Sequence, residues 1–105
     1  MYYPQPGQPM WPPMISGKQA IIPDEATIER ASVEYARLMS SWKVCIDETG
    51  AVNIVEKLRS SGFPDYDATI RRELSQWKYQ PLKVDGKAMA ACKAVTLVYD
   101  LPSSS

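Results

Sequence analysis

Residues 42–58, WKVCIDETGAVNIVEKL, decide the fold expected of this chain. Apolar and polar side chains alternate over residues 42–47, which predicts a half-buried β-strand. The segment 47–50 places Asp first and Gly last, as in a type I turn. β-Branched residues then dominate Val52–Leu58, which predicts a second strand. The sequence therefore predicts an antiparallel hairpin joined by a short turn.

Two helices are predicted, one on each side of the hairpin. Asp24 is a suitable N-cap, and a helix is expected from about Asp24 to Leu38. A second helix is expected to begin with Asp65 as its N-cap and to be stopped by Pro81. The apolar face of this second helix carries Tyr66, Ile70, Leu74 and Trp77.

A last strand is predicted over Cys92–Asp100, after a turn at Val84–Lys87. Because the crossover through the second helix is right-handed, the last strand is expected beside the first, in the spatial order 2-1-3. The predicted fold class is α+β, a small antiparallel three-stranded sheet with two helices packed on one face. In this order the last strand is an edge whose outer side is unpaired.

The N-terminal region differs in composition from the rest of the chain. Five of the nine prolines lie within residues 1–13. Each proline lacks an amide donor and restricts the residue before it, so this region cannot form a helix or a central strand. We therefore predict a proline-rich flexible arm over residues 1–22, a folded domain over 23–101 and a disordered tail over 102–105.

The composition argues against several classes of function. Twelve basic residues balance twelve acidic ones, so no net charge attracts nucleic acid. The absence of histidine removes the Ser-His and Cys-His nucleophiles and the commonest zinc ligand. No apolar run approaches the roughly 20 residues of a membrane helix, and no export signal is visible. We expect a soluble chain that is not an enzyme and holds no metal or cofactor.

Cys45 and Cys92 admit several interpretations: a redox pair, half of a metal site, a structural disulfide or two free thiols. They do not form a C-x-x-C motif, and a zinc site would need two carboxylates as well. Both cysteines lie on the outer faces of their predicted strands, which are neighbours in the order 2-1-3. A cross-strand disulfide is therefore favoured, and it would imply an oxidising compartment.

Four motifs, in order, resemble the C-terminal domain of TonB-type energy transducers. They read DETGAV at 47–52, LRSSGFP at 58–64, QWKYQP at 76–81 and DGK at 85–87. The resemblance covers over half of the chain. The cysteine pair is most similar to that in sequences from a proteobacterial branch of the family, of the myxobacterial kind. The motif positions of interest are Gly50, Gly62, Trp77, Tyr79 and Pro81.

The resemblance implies a periplasmic domain that an N-terminal anchor tethers to a proton-driven motor in the inner membrane. Such a domain binds the TonB box, an extended segment of outer-membrane receptors, and supports active uptake of siderophores or vitamins. In the family this segment adds beside the last strand. The resemblance therefore gives the docking role to Ala94, Val95, Thr96, Leu97, Val98 and Tyr99.

Three alternatives stay open at this point. Trp77, Tyr79 and Pro81 can serve core packing and helix termination rather than direct contact with a partner. An edge strand can also pair with a second copy, which would give a homodimer by strand exchange. Finally, the proline-rich segment Met1–Pro13 could be the working part of an intracellular adaptor, for which two free thiols are expected.

Overall fold

The computed structural model describes residues 11–18 and 20–102, so residues 1–10 of the predicted arm and 103–105 of the predicted tail lie outside the described residues. The described elements, in chain order, are β1 (Met14–Ser16), α1 (Glu25–Ser32), β2 (Arg37–Ile46), β3 (Val52–Arg59), α2 (Pro64–Ser75), β4 (Lys78–Tyr79), β5 (Leu82–Val84), β6 (Lys87–Met89) and β7 (Ala91–Asp100). The fold is α+β, and every strand pairing among these elements is antiparallel.

The main sheet has the order β3-β2-β7. This confirms the predicted order 2-1-3, in which the last strand lies beside the first strand of the hairpin. The prediction of a single sheet is wrong, because β1 pairs with β4 and β5 pairs with β6 in two further ribbons. Asp85 and Gly86 join β5 to β6 with φ angles of 53° and 80°, the left-handed pair of a type I′ turn. The sequence predicts this turn, but strands of three residues are too short to show a period of two.

The first helix begins where the sequence predicts but ends six residues earlier. The Asp24 carboxylate accepts a hydrogen bond from the Thr27 amide at 2.8 Å, which confirms the N-cap. The helix ends at Ser32, whereas the prediction extends it to Leu38. Leu38 lies instead in β2, opposite Tyr99, and is 3% exposed. Backbone pairing with β7 along the whole of β2 outweighs the weak apolar stripe of the helix.

The second helix runs from Pro64 to Ser75 and therefore ends six residues before Pro81. The prediction that Pro81 stops the helix is wrong, because residues beyond the helix already pair in β4 and Pro81 separates β4 from β5. The prediction of Asp65 as N-cap is also wrong, since the N-cap is Phe63 and no side chain caps it. Pro64 suits the first helical position, where the amide would have no partner within the helix.

The hydrophobic core lies between the main sheet and the two helices. Trp42, Val44 and Ile46 of β2 are fully buried, and Ala31 of α1 joins the same cluster. The predicted apolar face of the second helix is confirmed as buried at Tyr66, Ile70, Leu74 and Trp77, although Trp77 follows the helix. Both helices therefore contribute to one core on one face of the sheet.

Residues 11–18 and 20–22 pack against the domain, whereas the sequence places them in a flexible arm. β1 lies in this segment and pairs with β4. Ile21 is 7% exposed, and its carbonyl accepts a hydrogen bond from the Tyr66 hydroxyl at 2.7 Å. The packed part of the chain thus begins earlier than the predicted boundary.

The Cys45–Cys92 disulfide is confirmed. The two residues lie directly opposite each other in β2 and β7, with their Cα atoms 4.0 Å apart, and both are fully buried. They are 47 residues apart in sequence. The disulfide therefore ties the hairpin to the last strand across a long stretch of chain.

Reduction of this disulfide is expected to lower the free energy of unfolding by about 4 kcal/mol, because the unfolded chain gains the entropy of a long open loop. Urea unfolding of the oxidised and the reduced protein measures the difference. The double variant Cys45→Ala/Cys92→Ala is the control, and its stability should not respond to reductant. Equal stability of the oxidised and reduced native sequence would contradict this expectation.

A buried carboxylate connects the end of β3 to α2. Asp67 is 5% exposed and accepts hydrogen bonds from the Ser60 hydroxyl, from the Ser61 hydroxyl and amide, and from the Lys57 ammonium. Burial acts to raise the pKa of Asp67, but these hydrogen bonds outweigh burial and leave the pKa below its ordinary value of 3.8. The folded state therefore favours the ionised carboxylate.

Asp67→Asn is expected to lower the free energy of unfolding by about 1–3 kcal/mol, because buried donors lose a charged acceptor. The folded-state pKa lies below the unfolded-state pKa, so the contribution of the carboxylate is complete above the unfolded-state pKa. It is lost as the pH falls through the folded-state pKa. Urea unfolding should thus show a constant gap between the wild type and Asp67→Asn above about pH 5 that closes below about pH 4.

The matched control for this prediction is Asp65→Asn in the same helical turn. The Asp65 side chain is 76% exposed, so its replacement should change stability little at any of these pH values. A gap between the wild type and Asp67→Asn that does not depend on pH would contradict the role given to the Asp67 charge.

Candidate functional site

The outer side of β7 is an open sheet edge in the part of the chain that the structure describes. On its inner side, β7 pairs with β2 over ten residues. No other described strand pairs with β7, and no backbone hydrogen bond joins the described residues before α1 to it. Along this edge, a row of backbone N–H and C=O groups therefore has no strand partner among the described residues.

The predicted docking residues all lie on β7, and their alternation follows the predicted phase. The half-buried residues, which face the core, are Val95, Leu97 and Tyr99. The exposed residues, on the outer face of the sheet, are Ala94, Thr96 and Val98. Between Lys93 and Asp100 this strand carries no charged side chain. Its edge thus lacks the charges that usually discourage the addition of another strand.

The opposite edge of the main sheet, β3, is better protected. It carries Glu56, Lys57 and Arg59 within eight residues. In addition, the Arg71 guanidinium of α2 donates a hydrogen bond to the Val55 carbonyl at 2.9 Å. Charges and a backbone oxygen that is already bonded both oppose pairing with a further strand. β7 is therefore the edge better suited to accept a partner segment.

Two hollows lie along the core-facing side of β7, and residues 11–18 and 20–22, the described N-terminal segment, form one wall of both. The first hollow lies near the start of β7 and has a volume of about 410 Å³. It is lined chiefly by Trp11, Met14, Trp77, Tyr79, Lys93 and Val95. The second hollow lies near the end of β7 and has a volume of about 250 Å³. It is lined chiefly by Ile21, Ile22, Tyr66, Leu97 and Tyr99. Alternate side chains of one strand added beside β7 would point towards these hollows.

Trp77 and Tyr79 shape the first hollow through packing. The Trp77 indole N–H donates a hydrogen bond to the Lys18 carbonyl at 2.8 Å. The Tyr79 ring meets the Trp11 ring edge-on, with 5.6 Å between the ring centroids. Burial raises the pKa of Tyr79, so its hydroxyl stays neutral at physiological pH. Both residues of this motif thus serve packing, which sequence reasoning could not separate from contact with a partner.

Lys93 extends into the same hollow. Its ammonium nitrogen lies 5.1 Å from the centroid of the Trp11 ring and 5.7 Å from that of Tyr79, within cation–π range. Burial lowers the pKa of Lys93. The sequence interpretation missed both Lys93 and Trp11 as site residues. For Lys93 a signal was present, because it stands two residues before Val95 and so shares the core-facing phase of β7.

One of the residues that line the second hollow, Tyr66, carries a neutral polar group. Burial, with a smaller effect from Tyr99, raises the pKa of Tyr66 to about 12. The Tyr66 hydroxyl donates its hydrogen bond to the Ile21 carbonyl, so that hydrogen bond holds the N-terminal segment in place. This hollow therefore offers mainly apolar contacts.

The remaining motif residues have backbone roles. Gly50 has a φ of 89°, and a Cβ atom there would collide with the Tyr79 carbonyl oxygen. The Tyr79 amide donates a hydrogen bond to the Gly50 carbonyl at 2.9 Å, which joins the hairpin turn to β4. Gly62 has a φ of 93°, but a Cβ atom there would meet no atom within 4 Å. Pro81 is exposed between β4 and β5.

A scan against protein-family models gives no match for this chain, and a search of curated proteins gives none either. Neither helix in the described ranges is long and apolar enough to cross a membrane. Within those ranges no three or more His, Cys, Asp or Glu side chains gather in a group that could hold a metal ion. The site is therefore argued from its geometry.

Gly50→Ala is expected to lower the free energy of unfolding by about 1–3 kcal/mol more than Gly62→Ala. Both substitutions place a side chain at a positive φ, which costs about 1–2 kcal/mol. Only the change at Gly50 also forces the hairpin turn away from the Tyr79 carbonyl. Thermal and urea unfolding of the two variants measure the difference, and equal destabilisation would contradict the close approach at Gly50.

Proposed function

We propose that this chain is a TonB-like peptide-docking domain that binds an extended segment of a partner protein by adding it beside β7. The observation that carries the proposal is the uncharged edge over Ala94–Tyr99, which has no strand partner on its outer side among the described residues, in a sheet whose other edge is better protected. Backbone hydrogen bonds along this edge supply the affinity. The two hollows on the core-facing side supply the selectivity for alternate side chains of the bound segment.

The partners in this proposal are TonB-dependent outer-membrane receptors, whose TonB box is the bound segment. The domain acts in the periplasm, and in the full-length protein an inner-membrane anchor links it to proton-motor proteins. The Cys45–Cys92 disulfide supports an oxidising compartment. It also supports transmission of force, because it holds the docking strand covalently to the neighbouring strand of the sheet.

The proposal assigns binding rather than catalysis to the chain. Among the described residues, neither hollow combines a nucleophile with a general base, since the titratable groups that line them are Lys93, Tyr79, Tyr66 and Tyr99. The tyrosines that burial perturbs have raised pKa values, which favours the neutral phenol over a phenolate base at physiological pH. The groups present suit recognition of a peptide.

The adaptor function has less support in the described residues. Pro12 is buried and Trp11 packs against Tyr79, so this end of the proline-rich segment is engaged by the domain itself. The remainder of that segment, residues 1–10, lies outside the described residues. The disulfide also argues against a reducing cytosol. Self-association through β7 stays a competing use of the same edge, and the experiment below separates the two.

Titration of the ¹⁵N-labelled chain with a synthetic TonB-box peptide is expected to shift the amide signals of Ala94–Tyr99 most strongly. Two N-methylated versions of the peptide provide a matched pair, one methylated at odd positions and one at even positions. Only one set of amides in an added strand faces β7, so one version should lose binding while the other keeps it. Nuclear magnetic resonance and calorimetry measure both effects.

Several results would contradict the proposal. Shifts that concentrate on β3, or equal binding by both methylated peptides, would exclude strand addition at β7. Sedimentation equilibrium of the free chain checks for self-association. If β7 is occupied by a second copy so tightly that the peptide cannot displace it, the docking function is wrong and the edge is a dimer interface.

A further inference from the structure

The first hollow along β7 contains a cation with no described counter-ion. Lys93 is half-buried there against the faces of Trp11 and Tyr79. None of the ion pairs among the described residues involves Lys93, and no described carboxylate lies within 4 Å of its ammonium group. Residues 1–10, MYYPQPGQPM, contain no Asp or Glu, so no side chain of that segment can supply the missing charge.

The position of this cation relates it directly to the docking edge. On a strand added beside β7, the residue directly opposite Lys93 points to the same face of the sheet, with its Cβ atom about 4.5–5.5 Å away. An acidic side chain at that position reaches the ammonium group without leaving the strand. The surrounding rings exclude part of the water, which strengthens a charged hydrogen bond compared with one on an open surface.

We propose that the hollow around Lys93 binds the carboxylate of an Asp or Glu side chain in the docked segment, and thereby fixes the register of that segment on β7. This inference rests on the proposed function. A strand edge gives little register by itself, because backbone hydrogen bonds repeat along it. One charged contact in a defined place selects a single alignment.

The same register places an apolar side chain of the segment in the second hollow. The residue opposite Leu97 stands four positions from the acidic residue and also points to the core-facing side. Ile22, Tyr66 and Tyr99 line this hollow with mainly apolar surface. The segment that fits β7 best thus carries an acidic residue and a large apolar residue four positions apart.

The test uses capped, otherwise uncharged peptides of about ten residues, the length of a long strand. A single Glu is moved through the peptide one position at a time, and each peptide has a counterpart with Gln at that position. Calorimetry with the full chain is expected to show one position at which Glu binds about tenfold more tightly than Gln. Amide shifts at Ala94–Tyr99 report docking independently of the charge.

The variants assign this preference to one side chain. Lys93→Met keeps an unbranched apolar stem and removes the charge, so the preference for Glu should disappear while docking persists. Lys93→Glu should instead favour a peptide with Lys at the same position. Lys87→Met is the control, because Lys87 is an exposed lysine of β6 outside both hollows, and the preference should remain.

The outcomes separate this inference from the proposed function. If the peptides shift the signals of Ala94–Tyr99 but Glu and Gln bind equally, the acidic contact is wrong and the docking edge stands. If Glu is preferred equally by the wild type and Lys93→Met, the contact lies elsewhere and the inference is again wrong. If no peptide shifts these signals, both the proposed function and this inference fail.

Discussion

The pairing of β2 with β7 is the interaction on which the rest of the structure depends. It runs over ten residue pairs and brings β7 against a strand that lies at least 45 residues earlier in the chain, and Cys45 and Cys92 join the two strands covalently. The pairing sets the alternation along β2, so that Trp42, Val44 and Ile46 face both helices. It also explains why α1 ends at Ser32, because β2 begins at Arg37 and its residues adopt the extended conformation that pairs with β7.

The same pairing creates the candidate site. Because β2 is central, β7 is left at an edge, and α2 packs nearer to β3 at the other edge. Residues 11–18 and 20–22 form one wall of the two hollows on the core-facing side of β7, but they make no backbone hydrogen bond to this strand. Side-chain hollows and an open backbone edge therefore lie next to each other. This combination allows affinity from the backbone and selectivity from side chains in one docking mode.

The sequence predicts those parts of the fold that local patterns determine. The hairpin of residues 42–58 follows from an alternation of period two and a turn signal. The order of the main sheet follows from the right-handed crossover, and this order together with the strand phases gives the partner of Cys45. The prediction that the first helix reaches Leu38 is wrong, because the strand conformation of Leu38 depends on Tyr99, 61 residues further along, and no local pattern carries that pairing. The two short ribbons lack enough residues for a period to show. Lys93 shows the same limit at the site, since Trp11 and Tyr79 reach it from distant parts of the chain.

The most direct test of the central claim is amide hydrogen exchange in the free 105-residue chain, measured residue by residue along β7. In an antiparallel edge strand, alternate amides point to the neighbouring strand and to the open side. A free outer edge predicts slow and fast exchange in alternation over Ala94–Tyr99, with the slow amides directed to β2. Uniformly slow exchange over these residues would show that the outer side is already bonded, and would contradict the docking edge.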